Sequence, residues 1–228
     1  MKFKFKNDNK DICVIGAGRF GSAVISQLSK MNCSILVIEK EEEKAKPFAD
    51  MVQKVVIADA ADINALKALD IQKINTVVVA MPDNIEVIAC LLELKVSNII
   101  ARATSKRHAR VLQQIGVDVI IRPEFEAGVR TALFAANPSF SKNAENLQEL
   151  SDGFVMGTTT LKNEAFENVL IKNLNWSSNG VSIVLINRNG SSFLPYGDFV
   201  LHQNDALTLI GKIDDITNLL SSINPNKE

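Results

Sequence analysis

Three glycines carry the first chemistry in this chain. Gly16, Gly18 and Gly21 stand at the spacing G-x-G-x-x-G within Ile12–Gly21, ICVIGAGRFG. That spacing suits phosphate. The first glycine makes a tight turn, the second lets backbone approach a pyrophosphate, and the third lets a helix pack on a strand. The N–H groups opening the helix face the phosphates, and its dipole favours their negative charge. Arg19 places a flexible cation beside them. Phe20 divides by atom: its ring packs the helix while its backbone N–H faces phosphate. About twenty residues on, a second apolar run, Ile35–Ile38, ends in Glu39, where an acid accepts hydrogen bonds from ribose hydroxyls and repels a 2′-phosphate.

Such a site needs a sheet to position it. Strand-like runs fall at Ile12–Ile15, Ile35–Ile38, Val55–Ala58, Thr76–Ala80, Ile99–Arg102 and Val117–Ile121. Helical patterns separate them, at Phe20–Lys30, Glu41–Met51, Ile63–Leu69, Ile85–Leu94 and Lys106–Ile115. Pro47 shortens or kinks the second of these. The alternation predicts an α/β fold with a doubly wound, parallel Rossmann-like sheet. Ligand then belongs at the strand C-termini, where the strand order reverses. Ala80 ends the fourth run and borders that crevice. Arg102 ends the fifth and reaches phosphate, base or solvent. Pro123 opens a further helix that Asn137-Pro138 ends. The nucleotide-binding domain therefore spans 1–138. A polar linker follows over 139–152, with a short helix around Ala144–Leu150. The segment 153–228 reads as a small C-terminal α+β domain. It has a strand at Phe154–Leu161, a short helix at Ala165–Leu174 and a hairpin of Val181–Asn187 with Ser192–Leu194 around Asn189-Gly190. A strand at Ala206–Ile210 and a helix at Asp214–Ile223 complete it.

Composition narrows the function. The 228 residues carry a net charge of −1, with lysines and arginines scattered, which gives no case for nucleic acid. No apolar run approaches the ~20 residues of a membrane span. The opening MKFKFKNDNK lacks the apolar stretch of a signal peptide and reads as a tail. Cys13, Cys33 and Cys90 lie in or beside apolar segments, as buried free thiols of a reducing compartment do. No spacing suggests structural zinc. His108 and His202 read as surface residues, and Thr104 and Ser105 lack a His–Asp pattern for nucleophilic activation. Trp176 belongs to the edge of a core or to an interface or ligand contact. A small NAD-dependent oxidoreductase shares the glycine signature, but the C-terminal domain offers no evident acid or base for hydride transfer.

GAGRFG, Glu39, Asp59-Ala60 and Arg122-Pro123-Glu124, followed by Gly180–Ile186, Pro195, Gly197-Asp198 and DALTLIG, resemble the RCK domains, regulators of potassium conductance. The likeness is closest to the cytosolic subunits of Ktr/Trk potassium uptake systems and covers almost the whole chain. It implies a non-enzymatic gating subunit, cytoplasmic and peripheral on the inner face of the cell membrane. It implies homodimers that assemble into a ring, an octamer, on a KtrB- or TrkH-like membrane subunit. ATP, ADP or NAD(H) would occupy the crevice, and ligand identity would bias the gate. Arg19 would clamp phosphate, often across the dimer interface. Asp59 and Ala60 would border the adenine, with a turn as the other role of Asp59. Lys40 would lie over the adenine or in water. Glu124 would help hold Mg2+ or Ca2+ near a terminal phosphate, or serve as a helix-end acid. Leu170–Asn175 and Leu194–Phe199 match segments that bind cyclic di-AMP in the family. The run Asn175-Trp176-Ser177 departs from that pattern, because an arginine is common there.

Overall fold

The computed structural model describes residues 11–31, 33–136 and 145–224. The opening decapeptide, the Asn137-Pro138 stop and the first part of the expected linker lie outside the described residues. The chain divides into two compact units, Met1–Phe125 and Glu126–Glu228.

Through the first unit and into the helix that crosses its boundary, strands and helices alternate as the periodicity predicts. They run β1 (Asp11–Ile15), α1 (Arg19–Leu28), β2 (Ser34–Glu39), α2 (Glu42–Ala45), β3 (Lys54–Ile57), α3 (Ile63–Ala68), β4 (Thr76–Val79), α4 (Ile85–Glu93), β5 (Ile99–Arg102), α5 (Lys106–Ile115), β6 (Val119–Ile121) and α6 (Pro123–Ala136). The six strands form one parallel sheet in the order β3-β2-β1-β4-β5-β6. This is the doubly wound order, with its reversal between β1 and β4. Both faces of the central strands are covered. Cys13 and Ile15 join Leu36, Val77 and Val79 in one core, while Val14 joins Ile25, Val37 and Val78 in the other. That two-sided burial is why β1, β2 and β4 are continuous apolar runs rather than alternating ones. Pro47 shortens α2 to four residues, and the chain tightens into a 3-10 turn over Lys46–Phe48. Asp62 caps α3, its carboxylate accepting the Asn64 N–H at 2.9 Å. Of the three thiols only Cys13 is fully buried, and burial pushes its thiol far up; Cys33 and Cys90 are half-buried.

The second unit is built on a five-stranded antiparallel sheet, β10-β9-β11-β8-β7. Its strands are β7 (Glu145–Glu149), β8 (Phe154–Thr160), β9 (Val181–Arg188), β10 (Ser191–Phe193) and β11 (Ala206–Lys212), with α7 (Ile213–Ile223) after the last. Asn189 and Gly190 both have positive φ, 52° and 81°, which makes the predicted two-residue hairpin turn. Two expectations fail here. The segment expected as a helix within the 139–152 linker is the edge strand β7. Its residues favour helix singly, but Leu147 is 1% exposed in the small core, and Asp152-Gly153 turns the chain back so that Leu150 donates to Phe154 O at 2.9 Å. The expected Ala165–Leu174 helix is two 3-10 turns, Glu164–Phe166 and Ile171–Asn173, split by Asn168 at φ 60°. Its backbone bonds go to a neighbouring segment instead: Asn168 N–H to Leu201 O, and Ile171 N–H to Phe199 O.

Candidate functional site

The strand C-termini of the first unit bring the glycine loop and the expected ligand residues to one end of the sheet. Gly16 follows β1 at φ +92°, and its N–H donates to Ile38 O at 2.9 Å. A Cβ there would lie 3.2 Å from the Met81 nitrogen, so the loop after β4 backs the turn. Gly18 caps α1 in extended backbone, and a Cβ on it would meet nothing within 4 Å. Gly21 is the reverse case: a Cβ would fall 1.9 Å from Gly16 O and 3.2 Å from the Ala80 methyl. The three positions thus differ in the way the G-x-G-x-x-G pattern predicts, two packed tight and the middle one open. The first N–H groups of α1, on Arg19, Phe20 and Gly21, have no intrahelical acceptor. Arg19 is exposed beside them, and Phe20 is half-buried against the core.

Glu39 occupies its expected place at the end of β2, but its carboxylate already has work. It accepts the Ala17 N–H at 2.6 Å, the Lys40 N–H at 2.8 Å and the Glu41 N–H at 3.0 Å, and the residue is 8% exposed. Glu39 therefore fixes the glycine loop itself, and the lone pairs left over are what a ribose would use. The sequence offers no sign of this second role, because Ala17 contributes only backbone. Lys40 pairs with Asp59 at 2.6 Å, both exposed, and Asp59 also accepts the Ala61 N–H at 3.0 Å. The Asp59 partner raises the Lys40 pKa. The Lys40 ammonium and then the Ala61 N–H hold the Asp59 carboxyl below its usual range. Asp59 thus serves as both a turn residue and an ion-pair partner. Ala60 and Ala80 are buried, and the Ala80 N–H donates to Ile15 O at 2.9 Å.

Two residues at this rim were not anticipated. Asn84 is 1% exposed, and its amide donates to Met81 O at 3.0 Å and Arg102 O at 2.8 Å. It ties the loop after β4 to the end of β5. Its carbonyl meets His108 Nε2 at 3.1 Å. The Thr104 N–H donates to His108 Nδ1 at 3.3 Å, which leaves Nε2 as the donor to Asn84. His108 is thus a half-buried structural ligand of the rim rather than a surface residue. The only clue lay in an amide opening α4 directly after a crevice strand. Beyond the tie, the Arg102 guanidinium pairs with Glu124 through Nη2 and Oε1. Among the described residues, no group of three or more His, Cys, Asp or Glu could hold a metal ion. Glu124 is a single carboxylate, and a cation there needs phosphate oxygens to complete its shell.

In the second unit, segments 170–175 and 194–199 meet around a cavity of about 250 Å³. Ile171 and Leu174 line it from one segment, and Pro195, Tyr196 and Gly197 from the other. Trp176 also lines it, 8% exposed, with its ring edge-on to Phe166 at 5.4 Å. His202 pairs with Glu167 at 2.8 Å.

Residues 12–123 match the TrkA-N domain family, and residues 159–224 match the TrkA-C domain family. The Ktr system potassium uptake protein A of Bacillus subtilis (strain 168) is 32% identical over 91% of this chain and 94% of its own length. The Ktr system potassium uptake protein C of the same organism is 30% identical over 91% and 95%. A solved GsuK channel superposes over 98% of this chain and 41% of its own, at 18% identity and a TM-score of 0.61. The GsuK RCK domain does so over 98% and 50%, at 17% and 0.58. The chain spans half or less of those two chains, and at such identity the likeness shows the fold alone.

Proposed function

The chain belongs to the TrkA-N/TrkA-C domain family that includes the Ktr system potassium uptake proteins, and on that premise we propose that it is a non-enzymatic, nucleotide-binding regulatory subunit of a potassium uptake system. The observation that carries nucleotide binding is the contrast between Gly18, open on its ligand side, and Gly21, sealed against Gly16 and Ala80. The ligand is an adenine nucleotide, ATP or ADP, or NAD(H). Its phosphates lie over the α1 N-terminus near Arg19, its ribose on Glu39, and its adenine beside Asp59 and Ala60 with Lys40 over it. Arg102 reaches toward the phosphates, and Glu124 contributes to a Mg2+ or Ca2+ site only when a terminal phosphate is present.

Switching follows from differential affinity: a ligand that prefers one assembly shape shifts the gate toward it. The assembly is a homodimer repeated into an octameric ring on a KtrB- or TrkH-like membrane subunit, on the cytoplasmic face. Self-association is supported by apolar side chains left in the open. Val111 and Ile115 share a stripe of α5, Val119 lies on the edge strand β6, and no residue of α6 is buried. Among the described residues, no helix is long and apolar enough to cross a membrane. Cyclic di-AMP is proposed as a second ligand, a reading supported by the cavity that Ile171, Leu174, Pro195 and Tyr196 line.

Mass spectrometry of the nucleotide that copurifies with the folded chain tests the central claim. An adenine nucleotide is expected, along with copurification of a membrane potassium-transporting subunit. Reduction of NAD(P)+ to NAD(P)H with oxidation of an alcohol from a panel would instead establish the rival oxidoreductase.

A further inference from the structure

Arg102 and Glu124 pair across the ends of β5 and α6, and the pair is incomplete on the arginine side. The Arg102 side chain is 18% exposed and meets Glu124 through one nitrogen, Nη2, while its buried Nε–H has no acceptor among the described residues. A buried donor without an acceptor is a standing cost that one more oxygen relieves. A phosphate brings several oxygens and engages Nε and Nη together in a fork. The arginine is also held for that exchange. Asn84 binds the Arg102 carbonyl at 2.8 Å and the Met81 carbonyl at 3.0 Å, and Met81 backs Gly16. Asn84 therefore joins the loop that backs the glycine turn to the end of β5, where Arg102 stands. Glu124 is 64% exposed in the first turn of α6, so once released it faces water at the positive end of a helix.

We infer that the Arg102–Glu124 ion pair is a latch that nucleotide phosphate opens, taking the guanidinium and freeing the carboxylate for a cation. The inference rests on the nucleotide reading above and adds a rule of order. Cation and nucleotide are coupled because the same pair must separate for both. Glu124 therefore opposes nucleotide when metal is absent and favours it when metal is present, a reversal of sign that a plain metal ligand does not show.

The test is isothermal titration of ATP into the full chain, stripped of metal with chelator and then with excess magnesium. Wild type, Glu124→Gln, Arg102→Gln and the double variant are compared. Without metal, Glu124→Gln is expected to bind ATP roughly two- to fivefold tighter, the worth of a half-exposed ion pair. Arg102→Gln binds more weakly, and in that background Glu124→Gln gives no further gain, because the partner it released is gone. Magnesium tightens ATP binding by wild type and leaves Glu124→Gln unchanged. An equal gain from Glu124→Gln with and without Arg102 would show long-range charge alone and overturn the latch. So would unchanged affinity. Failure of wild type to bind ATP, ADP or NADH at all would overturn the nucleotide reading instead. Urea midpoints verify folding of each variant, and Arg102→Lys, which keeps the charge without the fork, replaces Arg102→Gln if that variant does not fold.

Discussion

A single methyl group separates binding from folding at the glycine loop. Gly18→Ala places its Cβ in open space in backbone that alanine adopts freely, with φ −67° and ψ −173°. Its melting temperature is expected to match wild type while nucleotide affinity falls at least tenfold by titration. Gly21→Ala must displace Gly16 O from 1.9 Å, and such overpacking costs about 1–3 kcal/mol in urea unfolding without any ligand. Glu39 makes a sharper case. Its carboxylate accepts three backbone N–H groups, so Glu39→Gln turns an amide N–H2 toward donors. A loss of about 1–3 kcal/mol in the ligand-free chain is expected, in addition to weaker nucleotide binding. A residue used only by ribose would leave ligand-free stability untouched, so an unchanged urea midpoint refutes the loop-fixing role. The placement of the glycines, Glu39 and Ala80 at one end of the sheet was legible because it follows from where each apolar run stops. Asn84, His108 and the Lys40–Asp59 pair were not, because their partners come from loops that only the sheet order makes neighbours.

Elements of the small unit depend on one buried ion pair. Arg188 at the end of β9 grips Asp205 through Nε and Nη2 at 2.7 Å each, and also binds Val200 O at 2.8 Å. Asp205 is 1% exposed and also accepts the His202 N–H at 2.9 Å. Arg188→Met leaves that carboxylate buried and unpaired. A cost of about 3 kcal/mol is expected, the low end for a broken buried pair because Arg188 is 29% exposed. Burial by itself pushes the Asp205 carboxyl up, but the Arg188 fork and the His202 N–H outweigh it and hold it below the usual range. The native state thus favours the ionised form. Its stabilisation is complete above the unfolded value near ~4 and is lost as pH falls through the lowered native value. Acid unfolding followed by Trp176, the one tryptophan of the chain, should therefore steepen below about pH 4 in wild type and flatten in Asp205→Asn. Strand-helix alternation in the first unit was legible from periodicity, since the central strands are continuous apolar runs buried on both faces. The edge strand β7 and the paired 168–171 segment were not. Their conformation is set by partners distant in sequence, against the helical leaning of Glu, Leu and Gln.

At the scale of the whole molecule, the exposed apolar stripe on α5 and the open edge of β6 call for cover. Ile115→Asp is expected to lower the particle mass in light scattering while leaving the circular dichroism spectrum unchanged. An unaltered mass would move the subunit contact elsewhere. The buried Cys13 has a consequence of another kind. Its thiol lies in β1, hydrogen-bonded between β2 and β4, with no exposed surface. An alkylating reagent reaches it only when that strand leaves the sheet, whereas Cys33 and Cys90 are partly open. The slow phase of thiol labelling is then a clock for rare openings of the nucleotide-binding unit. Any ligand of the closed crevice slows that clock by the factor 1 + [L]/Kd. Occupancy becomes readable as elapsed time, without a signal from the ligand itself.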